Sequence, residues 1–240
     1  MQLKPLLRSA RDAVFRIVYR GEGRWCPVCE QTARRFAPFG VDPRDEAMCV
    51  HCGALERHRL LWLFLTRQTD LFDERPKNVL HIAPERALTE RLRARLGTGY
   101  VTGDLSDPTA DVRLDVTRIQ FPDHTFDVVY CSHVLEHVPN DQQALAEMRR
   151  VLRPDGWAVL LVPIMADQTI EDPSVTDPGE RRRRFGQEDH VRVYGPDFEN
   201  RVRAAGFGVR KIGVADVVDA EEAALMGLTA AAGEIFLATR

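Results

Sequence analysis

The chain lacks any apolar run long enough to cross a bilayer. Its longest such runs, LLWLFL at 60–65 and WAVLLVPIMA at 157–166, fall well short of the roughly 20 residues a membrane helix needs, so no transmembrane helix is expected. The N-terminus has arginines throughout and lacks both an uninterrupted apolar stretch and a small-residue cleavage site, so it does not read as a secretory signal. A cytoplasmic setting is expected. A strong charge of one sign is missing too. The formal net charge of -3 gives no general pull towards nucleic acid or anionic lipid, although the first 77 residues are basic on balance and the rest acidic. No internal repeat is present. At 240 residues, 44% hydrophobic and 29% charged, the chain can bury one good core with a small appendage.

Four of the five cysteines stand as CPVC at 26–29 and CVHC at 49–52. This is the spacing of a zinc ribbon. Each C-x2-C turn aims two thiolates at one point, and Cys26, Cys29, Cys49 and Cys52 together make a tetrahedral sulfur set with no open position for water. A structural site follows. Two disulfides or free thiols are the competing reading, disfavoured in a reducing compartment, and His51 could replace Cys52. The intervening residues 30–48 are polar and broken by proline, so metal binding is expected to supply their folding energy. Cys131 ends an apolar strand and reads as a small buried hydrophobe.

Residues 1–24 place Leu3, Leu6, Leu7, Ala10, Val14, Ile17 and Val18 on one helical stripe, which predicts an amphipathic helix docked on its own protein or on a second subunit in a homodimer. A membrane-surface or RNA-facing helix is the alternative. Residues 25–77 form the cysteine subdomain and a connecting apolar helix over 54–72, and the main domain runs over 78–240.

From residue 78, strand-length apolar runs alternate with amphipathic helix-length runs, the pattern of a parallel sheet covered on both faces. Strands are expected at 78–83, 99–104, 111–114, 126–131 and 157–163. The helix at 140–152 is capped by Asn140 and stopped by RPDG. Beyond it come a helix at 196–205, a strand at 207–214, a helix at 219–230 and a strand at 234–239, the last two strands closing the sheet edge as an antiparallel pair.

Ligands of such open sheets sit beyond the carboxyl ends of the strands, and polar residues gather at these ends: His81 to Glu85, Asp104, Asp115, then Ser132, His133, Glu136 and His137. Asp104, about twenty positions after the first turn, is placed to accept from two ribose hydroxyls. Asp115 is placed to accept from an adenine amino group, with Leu105 and Val116 as ring contacts. Residues 110–163, above all FDVVYCSHVLEHV and RVLRPDGW, resemble class I S-adenosylmethionine-dependent methyltransferases of the type 11 kind. That resemblance implies an α/β fold with a Rossmann-like, mostly parallel sheet and an antiparallel last strand, appended here to a small N-terminal four-cysteine zinc-binding subdomain. It also implies that Asp104 holds the ribose, Asp115 the adenine, and that Ser132 or His133 lies beside the cofactor. In layout the chain resembles some RNA guanine methyltransferases as well.

One departure stands out. Where the family has an acidic residue and then spaced glycines, this chain has His81, Ala83, Pro84, Glu85 and Ala87. Glycine admits close backbone approach and leaves amides free to donate, whereas proline has no donor. Pro84 and Glu85 nevertheless suit a helix start, and a sulfonium cofactor carries no phosphate to be cradled. The site is expected to persist in altered form, with Arg86 reaching the methionine carboxylate. The competing reading is a scaffold that has lost its cofactor.

Methyl transfer needs an aligned nucleophile and, for a hydroxyl or amine, a proton acceptor. His133 and His137 stand four apart and share a face if HVLEHV starts a helix, though as a metal pair they lack a third ligand. The long insert 164–197 is expected to cover the site as a lid or substrate reader and offers His190 as a base and Arg192 with Tyr194 to orient an acceptor. RRRR at 181–184 reads either as an anion contact or as a solvated helix face balanced by Glu180 and Glu188. A small-molecule acceptor is favoured over nucleic acid, because the cysteine segment lacks the interleaved basic and aromatic residues of a base-stacking surface.

Overall fold

The computed structural model describes residues 17–40 and 42–240. They form two compact units. One holds the described residues up to Asp70 with Arg86–Arg91 and Gly213–Ala232, and the other holds Leu71–Glu85, Leu92–Ile212 and Gly233–Arg240. The predicted N-terminal helix lies mostly outside the described residues.

The cysteine unit begins with two short antiparallel hairpins, β1 (Arg24–Cys26) with β2 (Gln31–Ala33) and β3 (Ala37–Phe39) with β4 (Arg44–Met48). Helix α1 (Glu56–Arg67) follows, with an acidic residue in its first turn and a basic one in its last, both matching the helix dipole. It buries Leu60 to Leu65 without a break, as a helix apolar on all sides must. It is shorter than the expected 54–72, closing where the hydroxyls of Thr66 and Thr69 bond back to the carbonyls of Trp62 and Leu65.

Arg59 explains why this unit is discontinuous in sequence. Its guanidinium is fully buried, stacks 4.3 Å from the Phe36 ring and donates to the carbonyls of Ala47, Ala54, Met226 and Gly227 at 2.7–3.0 Å. Four carbonyls from three segments thereby share one cation, and the segment 213–232 folds with the cysteines. The continuous 25–77 and 78–240 division expected from the sequence has no place for such a tie.

The sheet unit contains β5 (Val79–Ile82), then α2 (Arg86–Leu96), β6 (Tyr100–Asp104), β7 (Val112–Arg113), β8 (Phe126–Ser132), α3 (Asp141–Val151) and β9 (Leu152–Leu161). The insert carries β10 (Ile170–Glu171), α4 (Pro178–Phe185) and β11 (Arg192–Val193), and the chain ends with α5 (Phe198–Ala204), β12 (Gly208–Ile212), α6 (Ala220–Leu225) and β13 (Ile235–Thr239). Helix α2 starts in the cysteine unit, and α6 belongs to it. The seven-stranded sheet has the order β7-β6-β5-β8-β9-β13-β12. Strands β5 to β9 pair in parallel, and β13 runs antiparallel to both β9 and β12. An apolar cluster that includes Leu80, Val129, Leu145, Leu160, Phe198 and Phe236 holds the helices to the sheet.

Three local expectations are revised. The third strand shrinks to two residues, because the Asp111 carboxylate accepts from the Thr102 amide and hydroxyl and from Arg93. HVLEHV forms a 3-10 turn at Leu135–His137 in place of an α-helix. Val138 precedes a proline, which disfavours helical backbone, and Arg192 takes the carbonyls of Leu135, Val138 and Pro139. The insert is not an open excursion. Its strands β10 and β11 pair antiparallel, and α4 has Asp177 as its N-cap, Pro178 in its first turn and a left-handed Gly186 after its end. Arg182, Arg183 and Arg184 of α4 pair with Glu188, Glu180 and Asp172, a solvated helix face.

Candidate functional site

Each cysteine knuckle is closed by a backbone bond, from Glu30 N–H to the Cys26 carbonyl at 2.7 Å and from Gly53 N–H to that of Cys49 at 2.9 Å. Glu30 and Gly53 both take left-handed backbone. The turns bring Sγ of Cys26 within 3.7 Å of Cys52, and Sγ of Cys29 within 3.7 Å of Cys49. All four sulfurs lie within 4.8 Å of one another. A tetrahedral zinc with bonds of about 2.3 Å has sulfur edges of about 3.8 Å, so the spacing fits an ion, and it exceeds the roughly 2 Å of a disulfide bond. His51 faces away from this set, its Nε2 lying 3.0 Å from the Thr32 carbonyl.

In the sheet unit the strand order reverses beside β5, whose neighbours are β6 and β8. Asp104 ends β6 half-buried. Its Oδ1 accepts from the amides of Ser106 and Asp107, both at 2.7 Å, which fixes the carboxylate. Leu105 is 58% exposed beside it, an apolar surface without cover. Asp115 lies just past the end of the adjoining strand β7, exposed, its Oδ1 accepting from the Thr117 hydroxyl and amide. The Thr117 hydroxyl and amide hold its carboxyl below the usual range. Val116 is buried in the core cluster, so Leu105 is the better placed of the two expected ring contacts.

The first turn is built differently from a glycine loop. Ala83 adopts left-handed backbone at φ 51°, and its amide is committed to the Gly103 carbonyl at 2.8 Å. Pro84 has no amide hydrogen. The Glu85 carboxylate accepts from the Tyr130 hydroxyl. His81 is fully buried, with Nδ1 2.6 Å from the Tyr100 hydroxyl and its ring 4.1 Å from that of Tyr130. These observed contacts lie inside the protein. Arg86 is exposed and lines a hollow of about 440 Å³ with Gln31, His51, Cys52, Glu90 and Arg91, on the cysteine unit.

Ser132, the last residue of β8, is buried with its hydroxyl unpartnered. An orphaned donor at this strand end fits a ligand's polar group. His133 has left-handed backbone at φ 53°, is one-third exposed, and holds Nδ1 3.2 Å from Oε1 of the buried Glu136. The insert returns here. Val191 N–H donates to the Glu136 carbonyl at 2.9 Å, and the rings of His137 and His190 meet edge to face at 4.7 Å.

Arg192 and Tyr194 have a different place from that expected. Both are buried. Besides clamping the carbonyls of the 135–139 turn, Arg192 pairs with Glu171 at 2.9 Å, and the Tyr194 hydroxyl donates to Asp141 at 2.8 Å. Their observed partners are within the protein, where they hold the turn and the neighbouring His190 in place. Asp141, which also accepts from Arg201 at 2.8 and 2.9 Å, went unnoticed in sequence, where a carboxylate in the first turn of a helix is unremarkable.

A parallel sheet with this strand order and one antiparallel strand beside its last parallel partner defines the class I methyltransferase fold. Residues 66–160 match the family described as a methyltransferase domain. Over 41 residues the chain is 49% identical to a probable methyltransferase of Aspergillus luteorubrus, a stretch that is 16% of this chain and 14% of that protein. Over 53 residues it is 43% identical to a ubiquinone/menaquinone biosynthesis C-methyltransferase of Paraburkholderia phymatum, 22% of each chain. The matches thus span less than a quarter of these relatives' length. A solved S-adenosylmethionine-dependent methyltransferase from Mesorhizobium loti shares the fold at a TM-score of 0.51 and 15% identity, over 75% of this chain and 98% of that one. The chain thus shares the fold of class I methyltransferases, and part of its sheet unit matches a methyltransferase-domain family. None of its helices, among the described residues, is long and apolar enough to cross a membrane.

Proposed function

We propose that this protein is a cytoplasmic S-adenosylmethionine-dependent methyltransferase acting on a small-molecule acceptor, with a structural zinc ion held by Cys26, Cys29, Cys49 and Cys52. The observation that carries the activity is the pair of carboxylates, Asp104 and Asp115, at the ends of adjoining strands β6 and β7, next to the point where the strand order reverses. Asp104 would hold the ribose, Leu105 would cover the adenine ring, and Asp115 would accept from its amino group. The Ser132 hydroxyl, unpartnered in its buried position, is free to bond the ligand. With the Ala83 amide engaged and Pro84 offering none, side chains carry more of the binding than in a glycine-built loop. The four-sulfur spacing supports zinc, and four thiolates leave it no open position, which makes its part structural.

When bound, S-adenosylmethionine supplies a methyl group on an activated sulfonium. The protein's share is to align the acceptor and remove its proton. His133 suits the second task. Glu136 orients its ring through Nδ1, the exposed part of the ring is available to the acceptor, and the buried carboxylate stabilises the imidazolium that forms.

Calorimetric titration of S-adenosylhomocysteine into zinc-replete protein tests the proposal. One molecule binds per chain, and Asp104→Ala weakens binding by about 10- to 100-fold, the loss of hydrogen bonds to a charged group worth about 1.5–3 kcal/mol. No binding to the unsubstituted protein would leave a methyltransferase-like scaffold. Binding to RNA that falls steeply with salt would replace the small-molecule acceptor with a nucleic acid.

A further inference from the structure

Three side chains converge beyond β8 that neither the fold nor the four-cysteine centre accounts for. One oxygen of Glu136 and one ring nitrogen each of His137 and His190 lie within 4.8 Å of one another. Oε2 of Glu136 is buried without a hydrogen-bond partner. A carboxylate oxygen at 1% residue exposure with nothing to bond is costly, at about 1–3 kcal/mol or more, and calls for a cation.

The remaining polar atoms of the three residues are already engaged in the way metal ligands usually are. Nδ1 of His190 lies 2.9 Å from the Phe185 carbonyl, which can only accept, so Nδ1 carries the proton and Nε2 keeps its lone pair. Nδ1 of His137 is 3.3 Å from an Asp189 carboxylate oxygen, which leaves Nε2 of that ring free in the same sense. Oε1 of Glu136 is held by His133 at 3.2 Å, leaving Oε2 for a ligand bond.

We propose that Glu136, His137 and His190 form a second metal site, for a divalent first-row cation such as zinc, separate from the four cysteines. Two nitrogens and one carboxylate oxygen suit zinc, whose bonds of about 2.0–2.2 Å put ligand atoms roughly 3–4 Å apart, so the three groups need contract only slightly. Three protein ligands leave a position open, the mark of a site that binds water or substrate. Glu136 and His137 are adjacent in sequence and lack a third ligand there. The insert supplies His190, because Arg192 and the Val191 amide pin it against the 3-10 turn.

The test is zinc stoichiometry, which is independent of cofactor binding and of activity. The full-length protein is dialysed against micromolar free zinc and its bound metal counted by mass spectrometry. Two ions per chain are expected, falling to one in Glu136→Gln and in His137→Ala, with secondary structure unchanged by circular dichroism. Cobalt substitution gives the second readout: the intense thiolate charge-transfer band stays in every variant, and a weaker visible band from nitrogen and oxygen ligands is lost from both. One ion in the unsubstituted protein, or two retained in a folded variant, overturns the proposal. Because the count on unsubstituted protein decides by itself, a variant that fails to fold does not rescue the idea.

Discussion

Ala83 stands where related folds use glycine, and its backbone still makes the left-handed turn at φ 51°. For an L-residue that conformation costs about 1–2 kcal/mol, which the bond from its amide to Gly103 helps to sustain. Ala83→Gly removes the strain but frees the unfolded chain, at about 0.5–1 kcal/mol. The variant is therefore expected to be more stable by about 0.5–1 kcal/mol, read from urea midpoints at unchanged slope. A loss of stability would mean that the methyl packs usefully and that the turn is not strained. The departure from glycine was legible in the sequence. That the backbone keeps the glycine-type turn was not, because alanine carries no mark of its dihedral angle. His81 was misleading for the opposite reason: its place in the motif pointed to a ligand, whereas its ring is held by Tyr100 and Tyr130 from neighbouring strands, contacts that strand pairing alone decides.

The element that organises the strand ends beyond β8 is the turn at 135–139, held by Arg192 of β11. Asp141 lies beneath it, almost completely buried. Burial alone would raise its carboxyl, but hydrogen bonds from Arg201 and Tyr194, with the charge of Arg192, more than offset this and hold it below its ordinary range. Glu171, bonded to the same two arginines, is also held down against a burial effect that pushes the other way. A carboxyl depressed in the folded state adds stability that is present above its unfolded value, near pH 4, and is lost as pH falls through the folded one. The sheet unit should therefore lose stability progressively below about pH 4. Asp141→Asn removes one of the two carboxylates that Arg192 and Arg201 share, so at neutral pH it should cost about 1.5–3 kcal/mol, the worth of hydrogen bonds to a charged group, and leave a weaker pH dependence between 4 and the acid limit. Urea titrations of both proteins at several pH values check this, and equal slopes against pH would show that other carboxyls govern acid unfolding. Strand and helix periodicity made the sheet and the polar strand ends legible. The clamp was not, because Arg192 meets carbonyls more than 50 residues earlier and no local pattern encodes such a partner. The same gap in sequence kept the third partner of His137 out of view.

At the scale of the whole molecule, two units differ in what holds them. The sheet unit has a continuous apolar core, so its folding rests on buried area. The strands of the cysteine unit's hairpins are three to five residues long, too short to stand alone, and the proposed zinc would contribute about 10–16 kcal/mol of apparent binding energy. Stripping metal with a chelator should therefore melt one unit and spare the other. Hydrogen exchange distinguishes this from general loosening. Amides of β1 to β4 should lose protection when metal is removed, and so should those of 213–232, far away in sequence but tied to the cysteine segment by Arg59 and by the Arg67–Glu222 pair. Amides of β5, β8 and β9 should keep theirs. Had the units followed the linear order of the chain, 213–232 would stay protected with the sheet, and that result would show the Arg59 tie to be too weak to couple the two segments. Protection lost everywhere at once would mean instead that the sheet unit cannot hold its fold without the cysteine centre, despite a core of its own.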